Sequence, residues 1–79
     1  MTPAEQRVAA PSSSSLATLA AKAGLARRTA AVVHVVVPRE QGVVEQARVL
    51  AENAGVDVSV DLMALTVRCR FDGQLRPAS

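Results

Sequence analysis

The stretch VVHVVVPREQGVVEQARVLAENAGVDVSVDL, residues 32–62, decides the fold of this 79-residue chain. It opens with a β-branched apolar run that does not alternate, which is typical of a strand buried on both faces of a sheet. A helical pattern follows at 41–54. Valines and a leucine then alternate with Asp57, Ser59 and Asp61 over 56–62, which indicates a half-buried strand. The apolar stripe of the helix consists of Val43, Ala47, Leu50, Ala51 and Ala54.

Strand, helix and strand in this order predict an α/β fold, a small open sheet built on a right-handed βαβ unit with neighbouring parallel strands. Working outward, the spacing of Leu16, Leu19 and Ala23 predicts a helix that the preceding serines can cap. Pro38 ends the first strand of the unit. The predicted elements are helix 13–28, strand 30–37, helix 41–54, strand 56–62 and an edge strand 65–71.

The tail alternates in the opposite register. Its apolar residues carry odd numbers, whereas those of 56–62 carry even numbers, so a turn or bulge must lie near Met63 and Ala64. The arginines between them indicate an edge strand or a hairpin arm. We therefore divide the chain into 1–12, a weak strand or flexible N-terminus, a single α/β domain at 13–72, and a frayed tail at 73–79. The odd-numbered apolar residues are Leu65, Val67, Cys69 and Phe71.

Composition points to a small core that gains stability from association. The chain has one aromatic residue, Phe71, although 49% of its residues are hydrophobic. A domain of this size buries only about 60% of its unfolded surface, so a second copy or a larger protein is an expected partner. One cysteine excludes an internal disulfide and fits a reducing compartment. With no signal-peptide pattern and no long apolar run, we expect a cytoplasmic protein without a membrane partner.

The order RVAAPSSSS, LATLAAKAGLARRTA, AVVHVVVPRE and VVEQARVLAENAGVDVSVDL resembles the first half of the universal stress protein family, over residues 7–62. His34-Val35-Val36 and Ala54-Gly55-Val56 carry this resemblance. It implies an open α/β sheet, often in a dimer, with a nucleotide cleft at the carboxyl ends of the first strands. Pro11, Ser13 and Val36 align with the adenosine side of that cleft. The chain is then a truncated or diverged relative.

Two departures argue against nucleotide binding. The acidic residue that ATP-binding members carry after their first strand falls near Ser12 and Ser13, and their glycine-rich phosphate loop is missing. The four glycines of this chain are scattered singly, so they cannot bring several backbone N–H groups together on a phosphate. We expect no cofactor. We also expect no nucleic acid partner, because the net charge is only +2 and aromatic residues for base stacking are missing.

No set of residues predicts catalysis. His34 is the only histidine, whereas metal sites and catalytic triads need several converging groups, so we interpret it as a structural, hydrogen-bonded residue at a strand end. Cys69 fits a small core residue better than a nucleophile. The carboxylates lie mostly on predicted solvent-exposed faces. We interpret the arginines as exposed residues that protect an edge strand from pairing with another strand. No metal site is expected.

The sequence therefore favours a non-enzymatic, universal-stress-protein-like module that regulates or interacts, by self-association or by binding a larger protein. The interface we predict is the apolar face of Leu65, Val67, Cys69 and Phe71. One alternative is a residual adenine-nucleotide-binding module. A second is a small RNA-binding regulator, since VEQARVLAENAGVDVS resembles the start of the all-helical ANTAR domains, which would require a helix over 56–67.

Overall fold

The computed structural model describes residues 12–74, which form two helices and three strands in the order α, β, α, β, β. Every boundary lies within about two residues of its predicted position, and the predicted α/β class is confirmed. The elements are α1 Ser13–Thr29, β1 Val32–Pro38, α2 Val43–Ala54, β2 Asp57–Leu62 and β3 Thr66–Asp72. The prediction of a weak strand in the N-terminal segment falls on residues 1–11, outside the described residues.

The sheet order is β1-β3-β2, with β3 antiparallel to both neighbours. Since each is antiparallel to β3, β1 and β2 run in the same direction, as predicted. The expectation that they lie side by side is wrong, and so is the placement of β3 at the edge. The short connection 63–65 returns β3 along β2 as a hairpin, with Met63 N–H donating to Thr66 O at 2.9 Å. The hairpin arm then pairs on its other side with β1.

Both helices pack on one face of the sheet, because the odd-numbered residues of β1 and β3 point to that face together. Val35 and Val37 of β1 lie opposite Cys69 and Val67. The other face of the sheet carries His34 and the arginines of β3. The prediction that β1 is buried on both faces is therefore wrong. The buried apolar core consists of Leu19, Ala23, Ala26, Val35, Val37, Val43, Ala47, Ala51, Val56, Val67, Cys69 and Phe71.

Local sequence sets the helix ends as predicted. The Ser12 hydroxyl accepts the Ser15 N–H at 3.2 Å and caps α1, whose last turn carries two arginines. Gly55 ends α2 with a φ of 76°, a conformation that glycine adopts without steric cost. Ala30 ends α1 in the same left-handed region, at a φ of 51°, although it carries a methyl group.

Gly73 and Gln74, which we placed in the frayed tail, are held in the fold. Gly73 is buried, and its N–H donates to Ala31 O at 3.0 Å. Gln74 N–H donates to an Asp72 carboxylate oxygen at 2.9 Å. The structured domain therefore extends past the predicted boundary at 72. The rest of the predicted tail, 75–79, lies outside the described residues.

Candidate interaction surface

Three of the four residues of the predicted interface lie inside the chain. Val67, Cys69 and Phe71 have no exposed surface, because the face of β3 that they share is covered by both helices. Burial raises the pKa of the Cys69 thiol by desolvation, which disfavours the reactive thiolate. These three residues cannot contact a second protein while the chain is folded. Only Leu65, with 82% of its surface exposed, remains available from the predicted set.

Leu65 belongs to an exposed apolar loop that the sequence reading missed. The described residues expose five large apolar side chains, and three of them, Leu62, Met63 and Leu65, lie in or beside the β2–β3 connection. We call these three residues the apolar tip. The signal was the run Leu-Met-Ala-Leu at 62–65, because turns normally carry glycine or polar residues. We had assigned Leu62 to a buried face from its even-numbered register.

Backbone contacts to Arg39 hold the apolar tip in place. Arg39 N–H donates to Leu65 O at 3.0 Å, and the Arg39 guanidinium donates through Nη1 to Met63 O at 2.8 Å. The connection is thus fixed at two carbonyl groups by the residue that follows β1. A loop held in this way presents its apolar side chains at a small entropic cost on binding.

The open face of the sheet carries polar side chains in rows across the strands. His34 lies opposite Arg70, which lies opposite Ser59. The next row runs from Val36 through Arg68 to Asp61. His34 is exposed in the middle of β1, so our placement of it at a strand end is wrong. Within residues 12–74 its side chain makes no hydrogen bond.

The arginines do not form one basic patch in the described chain. Arg70 contacts the buried Asp72 carboxylate at 3.3 Å, and Arg68 faces Asp61 across the strands. Arg27 and Arg28 lie at the end of α1, and Arg76 is outside the described residues. The pairing with aspartates leaves little net positive charge on the open face.

Of the two described residues that align with a nucleotide cleft, one lines an open cleft in the structure. An open cleft of about 140 Å³ lies between the first turn of α1 and the end of β1, and Val36 lines it. Ser13 is exposed at the start of α1 but is not among the lining residues, and Pro11 falls outside the described residues. Pockets for ligands of nucleotide size measure roughly 300–1,000 Å³.

A carboxylate also occupies the position where a phosphate would bind a helix. The backbone N–H of Ser12, at the start of α1, donates to Glu40 Oε1 at 2.7 Å. Free N–H groups and the helix dipole attract anions to such a helix end. Here the chain supplies its own anion from the β1–α2 connection.

The described residues contain no metal or catalytic cluster. Residues 12–74 hold no group of three His, Cys, Asp or Glu side chains placed to bind a metal ion. His34 points to the open face, whereas Cys69 points into the core, so the sheet separates them. None of the helices described is long and apolar enough to span a membrane.

Comparison with known proteins returned no match to any protein-family model, curated protein or solved structure. The resemblance to the universal stress protein family therefore stays a prediction.

Proposed function

We propose that this chain is a non-enzymatic interaction module that uses the apolar tip to bind an apolar surface of a larger protein. The observation that carries the proposal is the clustering of Leu62, Met63 and Leu65, exposed by 58%, 40% and 82%, on one anchored loop. Contiguous exposed apolar residues on a small protein mark sites of interaction. The other large apolar side chains exposed in the described residues, Val36 and Val49, lie on different elements, β1 and α2.

The other functions have less support. The cleft beside α1 is small for an adenine nucleotide, and Glu40 takes the helix end that would receive a phosphate. The ANTAR-like alternative required a helix over 56–67, where the structure has β2 and the start of β3. A role in the stress response and a cytoplasmic location remain predictions from the sequence.

Site-specific photocrosslinking tests the proposal. A benzophenone amino acid is placed at Leu65, and in a matched control at Val49, which is 45% exposed on α2. In extract of the native host, the Leu65 probe should give one discrete adduct and the Val49 probe none. Unlabelled parent protein should compete this adduct away, whereas a Leu62→Ser/Leu65→Ser variant should not.

The competition experiment distinguishes specific binding at the apolar tip from nonspecific adsorption. Circular dichroism must first show that the double serine variant is folded, which we expect because both side chains are exposed. Adducts of equal intensity at Leu65 and Val49, or competition by the serine variant as strong as by the parent, would refute the proposal.

A further inference from the structure

The outer edge of β1 carries backbone groups that no strand of residues 12–74 pairs with. Gly73 N–H donates to Ala31 O and Arg39 N–H donates to Leu65 O, and both pairs continue the β1–β3 register. Hydrogen-bonded pairs recur at every second residue of an antiparallel ladder, so the odd-numbered residues of β1 bond to β3. The N–H and C=O groups of Val32, His34 and Val36 consequently point outward. In the described part of the chain no strand pairs with them.

The two sheet edges differ in how they are protected. Edge strands that stay unpaired usually carry charged residues that oppose strand addition. β2 carries Asp57 and Asp61, both exposed. β1 reads VVHVVVP and carries no charged residue, and its β-branched residues favour pairing. Only Pro38, at the end of β1, limits the ladder, since proline has no N–H to donate.

We propose that a second copy of this chain pairs along β1, antiparallel across a two-fold axis at His34. This register sets His34 opposite His34 of the other copy and Val32 opposite Val36. It forms about six backbone hydrogen bonds. A shift in one direction brings in Pro38, which has no N–H, and a shift in the other leaves fewer pairs. The product is a six-stranded sheet with the helices of both copies on one face.

Charge favours this pair over its rivals. Joining two β2 edges would gather Asp57 and Asp61 of both copies along one seam, and like charges across strands are destabilising. Joining β1 of one copy to β2 of the next would give an open chain of molecules, not a closed dimer. The seam uses the outward backbone groups of Val32, His34 and Val36 and no residue of the apolar tip, so the two proposals are tested by different residues.

A charge at the axis tests the register. We expect the parent protein to be a dimer that dissociates in roughly the micromolar range, since edge pairing buries little area. His34→Lys places two lysines opposite each other across the seam, with their Cα atoms about 5.5 Å apart. Repulsion between their ammonium groups should weaken the dimer at least about tenfold. Ser59→Lys is the matched control, because Ser59 lies in the same row on the other edge strand and is exposed. It should leave the dimer unchanged.

A neutral substitution at the same position separates charge repulsion from the mere loss of histidine. His34→Thr, neutral and β-branched, should stay dimeric.

Sedimentation equilibrium of the full chain and its variants measures the association constants. Amide hydrogen exchange shows which edge strand becomes paired in the dimer. Protection at Val32, His34 and Val36 should rise with protein concentration, whereas protection at Val58 and Val60 of β2 should not. A monomer at about 500 µM, well above the expected dissociation range, would overturn the proposal. Equal effects of the two lysine variants, or assemblies larger than a dimer, would also overturn it. So would protection of the β1 amides that does not depend on protein concentration, because another part of the same chain would then cover β1.

Discussion

Replacing Gly73 by alanine should destabilise the fold because the backbone of α1 lies directly against this residue. A Cβ at Gly73 would overlap the carbonyl oxygen of Ala26 and lie 2.7 Å from the Ala26 carbonyl carbon and 3.2 Å from Ala30 Cα. All of these are backbone atoms, so no side-chain rotation relieves the overlap. Its φ lies outside the left-handed region, and the requirement for glycine is therefore one of space alone.

The size of the effect follows from two opposing contributions. Forcing an extra carbon into a packed site costs about 1–3 kcal/mol, and more when backbone must move. Alanine in place of glycine recovers about 0.4–1 kcal/mol by restricting the unfolded chain. We expect a net loss of about 2 kcal/mol. In a domain of this size that lowers Tm by roughly 8–16 °C.

Gly24→Ala is the matched control, since the same change is made inside α1. There a Cβ would meet only the Arg28 guanidinium, at 3.3 Å from Nη1, and that flexible group can move away. Alanine is favoured over glycine in a helix interior by about 0.5–1 kcal/mol. Gly24→Ala should therefore raise Tm while Gly73→Ala lowers it.

Thermal and urea unfolding followed by circular dichroism measure both variants. The reasoning is refuted if Gly73→Ala is as stable as the parent protein while Gly24→Ala is stabilised as expected. That result would mean that the end of α1 does not rest on the end of β3. Equal stabilisation of both variants would lead to the same conclusion.

Two further changes test local features of the fold. Ala30→Gly should stabilise the protein by about 0.5–1 kcal/mol, because Ala30 is exposed and holds a φ of 51° that costs alanine about 1–2 kcal/mol; a lower urea midpoint would contradict this. Burial raises the pKa of the Cys69 thiol, so the folded chain retains a proton that the unfolded thiol releases above about pH 8.5. Stability should then be full below that pH and fall at higher pH, by at most about 1.4 kcal/mol per pH unit. Cys69→Ala should lose this part of the alkaline dependence, and identical slopes in urea titrations from about pH 7.5 to 10 would exclude the thiol as its cause.

The residues of the apolar tip show what the alternation of apolar residues predicts and what it does not. The change from even to odd apolar positions predicted a turn near Met63, and the structure has it there. The same alternation assigned Leu62 to a buried face, although it is exposed, and grouped Leu65 with three residues of β3 that are buried while Leu65 is not. Alternation reports which side of a strand a residue is on, but burial depends on whether a helix reaches that end of the sheet.

The order and approximate ends of the helices and strands were determined by the sequence itself. Serine before α1, Gly55 after α2 and the two periodicities act over a few residues, so neighbouring residues suffice to specify them. Tertiary structure alone decided that β3 enters between β1 and β2, because a strand carries donors and acceptors on both sides and local sequence does not select its partners. The central position of β3 placed Val67, Cys69 and Phe71 under the helices and, within residues 12–74, left the outer edge of β1 without a strand partner.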